Sequence, residues 1–180
     1  MNKYLGHPMQ VYGIEEIRLV GGKADGMRML NVRNGKGLEF TISLDRAADV
    51  TRLSLKGDNF SFISACGYVA PSYYDKDGIG FLKSFTAGFC TTCGLTAVGS
   101  PCTDEGEELP LHGTISNTPC ESFGYWEAED GLHIKAIVRD ANCANDGLMG
   151  TFCGKCGVCF ETTVIPGGQP IYDFIISAEG

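Results

Sequence analysis

From Leu38 to Asp45 the chain reads Leu38-Glu39-Phe40-Thr41-Ile42-Ser43-Leu44-Asp45, apolar at every even position and polar at every odd one. A period of two sends successive side chains to opposite faces of an extended chain, so this segment is a strand with one buried face. The pattern recurs around it. Leu53 and Leu55 alternate with Arg52, Ser54 and Lys56 before a Gly57-Asp58 turn, and Phe60-Ser61-Phe62-Ile63 follows as a further short strand. Upstream, residues 10–20 and 27–33 lean towards strand, with Gly21-Gly22 and Asn34-Gly35 as turns. Late in the chain Leu132, Ile134, Ala136 and Val138 alternate with His133, Lys135, Ile137 and Arg139, after a strand through Phe123-Gly124-Tyr125-Trp126. Apolar runs at 158–165 and 171–176 close the pattern, separated by Pro166-Gly167-Gly168-Gln169-Pro170.

Residues 71–119 break the rhythm. Periodicity is weak there, acidic residues gather at Asp104, Glu105, Glu107 and Glu108, and only residues 78–85 suggest a short helix. Long loops inside a compact domain are uncommon and are often functional, so a site is expected here rather than in the flanking meanders. No repeat, heptad or linker appears, which predicts one all-β domain over residues 1–180.

Composition sharpens this picture. With 43% hydrophobic and 20% charged residues in 180, the chain can bury a core and is not disordered. It has no apolar run long enough for a membrane helix and no signal-like start, and a cytoplasmic location is expected. A net charge of −8 repels phosphate backbones and anionic lipid, so neither nucleic acid nor a membrane is an expected partner. The 25 scattered glycines suit many turns between short strands.

Three segments, taken in order and spacing, carry a family resemblance. They are Gly37-Leu38-Glu39-Phe40 with Asp45-Arg46-Ala47-Ala48-Asp49-Val50, then Phe85-Thr86-Ala87-Gly88-Phe89-Cys90-Thr91-Thr92-Cys93-Gly94-Leu95, then Leu111-His112-Gly113-Thr114-Ile115-Ser116-Asn117-Thr118-Pro119. Together they resemble an uncharacterised branch of the aldose 1-epimerase (galactose mutarotase-like) superfamily. The resemblance implies a large antiparallel β-sandwich, here a partial one, that binds a monosaccharide or sugar derivative in a cleft and needs no cofactor. Members of that superfamily are longer and place further histidine and acidic residues after the His-Gly motif. On the resemblance this chain is therefore a truncated or naturally short member, the N-terminal half of the fold. An unfinished sheet would leave an edge that invites a partner strand, so a homo-oligomer is open.

Interconverting anomers requires a proton to leave the C1 hydroxyl while another reaches the ring oxygen. A histidine serves either task near neutral pH, and His112 is the candidate for catalysis or sugar positioning. Its structural alternative is a loop histidine bonded to a backbone carbonyl. Arg46, Lys83, Thr92 and Asn117 are candidates for contact with sugar hydroxyls. Against that, Arg46 and Asp49 also read as a surface-rim pair or a salt-bridged strand end, Lys83 as a solvated lysine and Asn117 as a turn residue. Trp126 or Tyr125 could stack on a pyranose, although a lone tryptophan at strand spacing is more often core; His133 reads as solvated, and His7 carries no signal. Hence three readings stand: an aldose 1-epimerase-like isomerase, a non-catalytic sugar-binding fragment, and a metal-binding module built on cysteines.

Nine cysteines cannot all pair internally and fall below the roughly 8–10% of a disulfide scaffold, so they are expected as thiols. Cys90 with Cys93, and Cys153 with Cys156 and Cys159, have the two-residue gap of a zinc grip, but 59 residues separate the pairs. An iron–sulfur reading lacks its fourth cysteine, since position 163 is Thr163. A dithiol role for Cys153 and Cys156 lacks the βαβ context. No metal is assigned.

Overall fold

The structure, a computed structural model, describes residues 3–140 in full and, beyond them, the backbone of strands Gly147–Phe152, Phe160–Ile165 and Tyr172–Glu179. The first sheet is an antiparallel meander of β1 (Tyr12–Arg18), β2 (Arg28–Asn34), β3 (Leu38–Ser43), β4 (Asp49–Leu55) and β5 (Asp58–Asn59), adjacent in that order. Two short ribbons follow, β6 (Phe62–Ile63) with β7 (Ala87–Gly88) and β8 (Cys102–Asp104) with β9 (Glu107–Leu109). The second sheet holds β10 (Cys120–Ala128), β11 (Gly131–Val138), β12 (Gly147–Phe152), β13 (Phe160–Ile165) and β14 (Tyr172–Glu179), in the order β10-β11-β14-β12-β13. Among the described strands, β12 and β14 alone pair in parallel.

Local chemistry sets the turns. Asn34 accepts the amides of Lys36 and Leu38 on its side-chain oxygen, at 2.8 and 3.0 Å, closing the β2–β3 turn. Lys56 and Gly57 both have positive φ, 53° and 93°, so the two-residue β4–β5 turn takes the primed geometry that matches strand twist. The alternating apolar positions then share one face. Leu30, Val32, Phe40 and Ile42 from the first sheet and Ile134, Ala136 and Val138 from the second lie in one buried cluster with Leu44, Ile115 and Cys120. That shared core makes the fold an antiparallel β-sandwich.

Several expectations are refined. The expected helix at 78–85 is a single 3₁₀ turn, Gly80–Lys83. The strand expected at 60–63 shortens to the two residues of β6, and Phe60 and Phe62 are exposed. Trp126 is not core: it is 46% exposed and lies flat on His133, ring centroids 5.2 Å apart. His133 is correspondingly covered rather than solvated, and its Nε2 meets Asp130 at 2.7 Å. No helix among the described residues is long and apolar enough to cross a membrane.

Ile42 is fully buried at the centre of the core, whereas Arg52 stands on the outer face of the same hairpin. Ile42→Ala is expected to cost roughly 2–5 kcal/mol of stability and Arg52→Ala no more than about 0.5 kcal/mol, measured by urea unfolding.

Candidate functional site

The three sequence motifs meet at one end of the first sheet. The β3–β4 turn contacts the 85–95 loop through Val50, whose carbonyl accepts the amides of Phe89 and Cys90 at 3.0 Å each. It contacts the third motif where the Ala47 amide donates to Thr118 at 2.9 Å and the Cys120 amide to Leu44 at 2.7 Å. The two loops are joined directly by the Gly94 amide, which donates to the carbonyl of His112 at 3.0 Å. Gly113 makes this approach possible. Its φ is 75°, and a Cβ there would stand 2.7 Å from the Gly94 carbonyl oxygen.

His112 is half-buried and has a φ of 60°, a left-handed conformation unusual for a residue with a side chain. Such strain persists only where surrounding contacts over-determine it. Here they do: the His112 amide donates to Gly99 at 3.0 Å, the Gly99 amide donates to His112 Nδ1 at 3.2 Å, and the ring stands edge-on to Phe81 at 5.5 Å. An Nδ1 that accepts a hydrogen bond leaves the proton of the neutral ring on Nε2. His112 is therefore bonded through its ring to an amide, not to a carbonyl, and its Nε2 carries the ring proton as a donor.

Behind this loop Asp49 is 4% exposed and accepts the Thr92 amide at 2.6 Å. Burial pushes its carboxyl up to about 7, against the opposing pull of the Thr92 hydrogen bonds and of Arg46. Arg46 is 1% exposed; its Nη1 donates to the carbonyls of Ser84 at 2.9 Å and Val69 at 3.3 Å, and its Nη2 has no hydrogen-bond partner. The surface-rim reading of Arg46 and Asp49 is thus corrected: both side chains lie inside the protein, because the 64–86 loop folds over the turn that carries them. Neighbouring Asp45 pairs with Arg28 at 2.7 Å, and Arg28 also reaches the Cys120 carbonyl at 3.0 Å.

The remaining candidates divide. Thr92 belongs to the cluster through its amide. Asn117 is 8% exposed, its amide nitrogen donating to Ser116 Oγ at 3.2 Å while its Oδ1 has no partner. Lys83 stands apart on the surface, paired with Asp75 at 2.6 Å. Two residues absent from the sequence-based candidates join the His112 loop. Thr114 donates to Asp140 at 2.7 Å and Tyr74 reaches the Gly113 carbonyl at 3.4 Å. Burial raises the carboxyl of Asp140, and burial followed by the charge of Asp140 raises the Tyr74 phenol. Nothing in the local sequence marks either one, since Tyr74 lies in an aperiodic loop and Asp140 lies two residues past the end of β11.

A cavity of about 390 Å³ opens beside this loop, between residues 76–78, 101–103 and 108–110. Its size falls within the roughly 300–1,000 Å³ of ligand pockets. His112 does not line it. Cys90 and Cys93 are free thiols at the edge of the cluster, and partial burial of the Cys90 sulfur, with the charge of Asp49, holds that thiol above its ordinary range. Cys153, Cys156 and Cys159 lie outside the described residues. Among the described residues no three His, Cys, Asp or Glu side chains converge as a metal site requires.

These features define an all-β class, the antiparallel β-sandwich. The protein from Klebsiella pneumoniae that carries the name "putative aldose 1-epimerase" superposes with a TM-score of 0.66 at 24% identity, over 76% of this chain and 37% of that one. The galactose 1-epimerase of Lactobacillus acidophilus overlaps more loosely, with a TM-score of 0.45 at 12% identity over 76% of this chain and 42% of that one. The chain thus spans well under half the length of either, and the likeness is one of fold. None of the curated proteins compared matches it. Residues 24–149 match the family described as a domain of unknown function, DUF4432, and the chain belongs to that family.

The raised carboxyl of Asp49 has a consequence for folding. Between the ordinary carboxyl value of 3.8 and about 7 the folded state binds a proton that the unfolded chain has lost, so this group's contribution declines as pH rises through that window. The urea midpoint is expected to fall from pH 5 to pH 8, and Asp49→Asn is expected to flatten that slope. An unchanged slope in the variant would refute the assignment.

Proposed function

We propose that this protein is a mutarotase-like carbohydrate-active protein that binds an aldose, or a derivative of one, at the loop cluster around His112. The observation that carries the reading is the fixed tautomer of His112: its Nδ1 is occupied by the Gly99 amide, so Nε2–H is presented as a donor. Aldose oxygens are suitable acceptors. In anomer exchange such a donor polarises the ring oxygen while keeping its own proton, and a second group must take the C1 hydroxyl proton and return it to the freed ring oxygen, the reverse transfer closing the ring on the other face. Asp140, tied to the same loop through Thr114, is our candidate for that base. A carboxylate raised towards neutrality by burial is a stronger base while ionised than an ordinary one. No cofactor enters this scheme.

A non-catalytic sugar-binding role is the second reading, favoured by the ring of His112, whose Nδ1 is taken by the Gly99 amide and which therefore offers a sugar a donor but no proton acceptor. Exchange NMR across a panel of aldoses, including glucose, galactose and mannose, separates the two. Catalysed exchange that drops about 10²–10⁴-fold in Asp140→Asn and in His112→Gln supports the enzyme. Ligand-induced shifts of His112 without exchange support the binder, and the absence of both rejects the sugar reading.

A further inference from the structure

We infer that Asp49 is a positioning residue for His112, acting through the short segment 92–94 that ties the buried carboxylate at one end to the histidine's carbonyl at the other. The inference rests on the proposed role of His112 as sugar donor, and it extends that role to a group with no access to solvent. Asp49 meets Thr92 N–H at 2.6 Å, and two residues on Gly94 N–H meets His112 at 3.0 Å. Both are main-chain donors, so displacing either one moves the backbone between them. That backbone lies close against Gly113, where a Cβ would stand 2.7 Å from the Gly94 carbonyl oxygen, so the two loops meet with room for a glycine alone. His112 in turn keeps its tautomer only while the Gly99 amide stays 3.2 Å from Nδ1.

The connection has two states. Ionised, the carboxylate accepts the Thr92 amide as a charge-assisted bond; protonated, it accepts as a neutral group and holds more weakly. The changeover falls where burial has placed it, at about 7. Other ionisable groups that face Asp49 are Arg46 on its own turn, Cys90 on the opposing loop and Cys120 at the start of β10. Burial raises both thiols, that of Cys120 to about 12, and a guanidinium stays charged at neutral pH, so neither thiol nor Arg46 supplies a step near pH 7.

The test uses the full ¹⁵N-labelled chain as wild type, Asp49→Asn and Asp49→Ala, followed by amide and imidazole NMR from pH 5.5 to 8.5. In wild type the Thr92 and Gly94 amides are expected to shift together with a midpoint of about 7, and in Asp49→Asn, which keeps an acceptor but no charge, both steps should vanish. Asp49→Ala should average the His112 ring nitrogens between tautomers, whereas Asp49→Asn should hold the Nε2–H form. A titration with galactose and glucose should show about tenfold weaker binding in Asp49→Ala, the equivalent of one hydrogen bond, and near wild-type binding in Asp49→Asn. A folded Asp49→Ala with wild-type imidazole signals overturns the inference. If that variant does not fold, a Gly94 step that persists in Asp49→Asn, or that follows the carbon-bound ring protons of His112 instead of Thr92, overturns it equally. Should the amides and imidazole behave as stated while no sugar perturbs His112, the positioning role stands and the sugar reading falls.

Discussion

A guanidinium taken out of water must be supplied with acceptors for its N–H groups, and Arg46, at 1% exposure, is the residue on which the loop cluster around His112 is assembled. Its acceptors are carbonyls of Val69 and Ser84, far along the chain from the turn it occupies. Burying Arg46 therefore recruits the 64–86 loop to the end of the first sheet. The same turn presents Asp49 to Thr92 and the Ala47 amide to Thr118, which recruits two more segments. The turn is itself strained, since Ala47 and Ala48 have φ values of 49° and 58°. Left-handed backbone costs an alanine roughly 1–2 kcal/mol, and such a cost is tolerated where several long-range bonds converge on the residues it orients.

Charge at this point is balanced by solvation more than by pairing. Arg46 and Asp49 attract each other, yet the carboxyl still rises to about 7, so the loss of water outweighs the attraction. The pair is not a stabilising salt bridge in the usual sense, because desolvating two charges often exceeds what their attraction returns. What burial supplies instead is a carboxyl poised near neutrality within a rigid turn, where a change of protonation is felt by the backbone bonded to it. The Arg28–Asp45 pair beside it works differently. It is half-buried and bidentate in character, with Asp45 also accepting the Arg28 amide at 2.6 Å, and it pins β2 to the same turn while reaching across to β10.

The sheet was legible in the sequence because its information is local. Leu38 through Leu44 alternate by the pleat alone, and the same alternation at Leu132 through Val138 marks the opposite wall of the core. The convergence of the three motifs was legible as a resemblance, but the depth of Arg46 was not. A charged residue between strand and turn reads as surface, and only the arrival of Val69 and Ser84 from tens of residues away makes it interior. Trp126 misleads in the opposite direction. Its apolar bulk suggests core, while its register opposite His133 sends it to the outer face. Tyr74 and Asp140 carry no local signal because their relevance lies wholly in the loop they touch.

The hydrogen bond from Gly99 to Nδ1 constrains the chemistry of His112 more than its residue type does. A histidine chosen for a site by sequence alone can act as acid or base, whereas one whose Nδ1 is taken by an amide cannot accept a proton at Nε2, which already carries one. To become imidazolium it would have to protonate Nδ1 and abandon Gly99, loosening the left-handed loop that the bond helps to hold. On the proposed reading this divides the labour: His112 can donate to an oxygen that gains electron density, and the proton leaving the sugar must go to another group. Among the described residues, the carboxyls bonded to the second and third motifs include Asp49, through Thr92, and Asp140, through Thr114. Asp49 is sealed behind Thr92 at 4% exposure, which excludes it from direct contact with a sugar and leaves it to act on the backbone. Asp140, half-buried and held by Thr114 on the His112 loop, is the carboxyl proposed to meet a substrate.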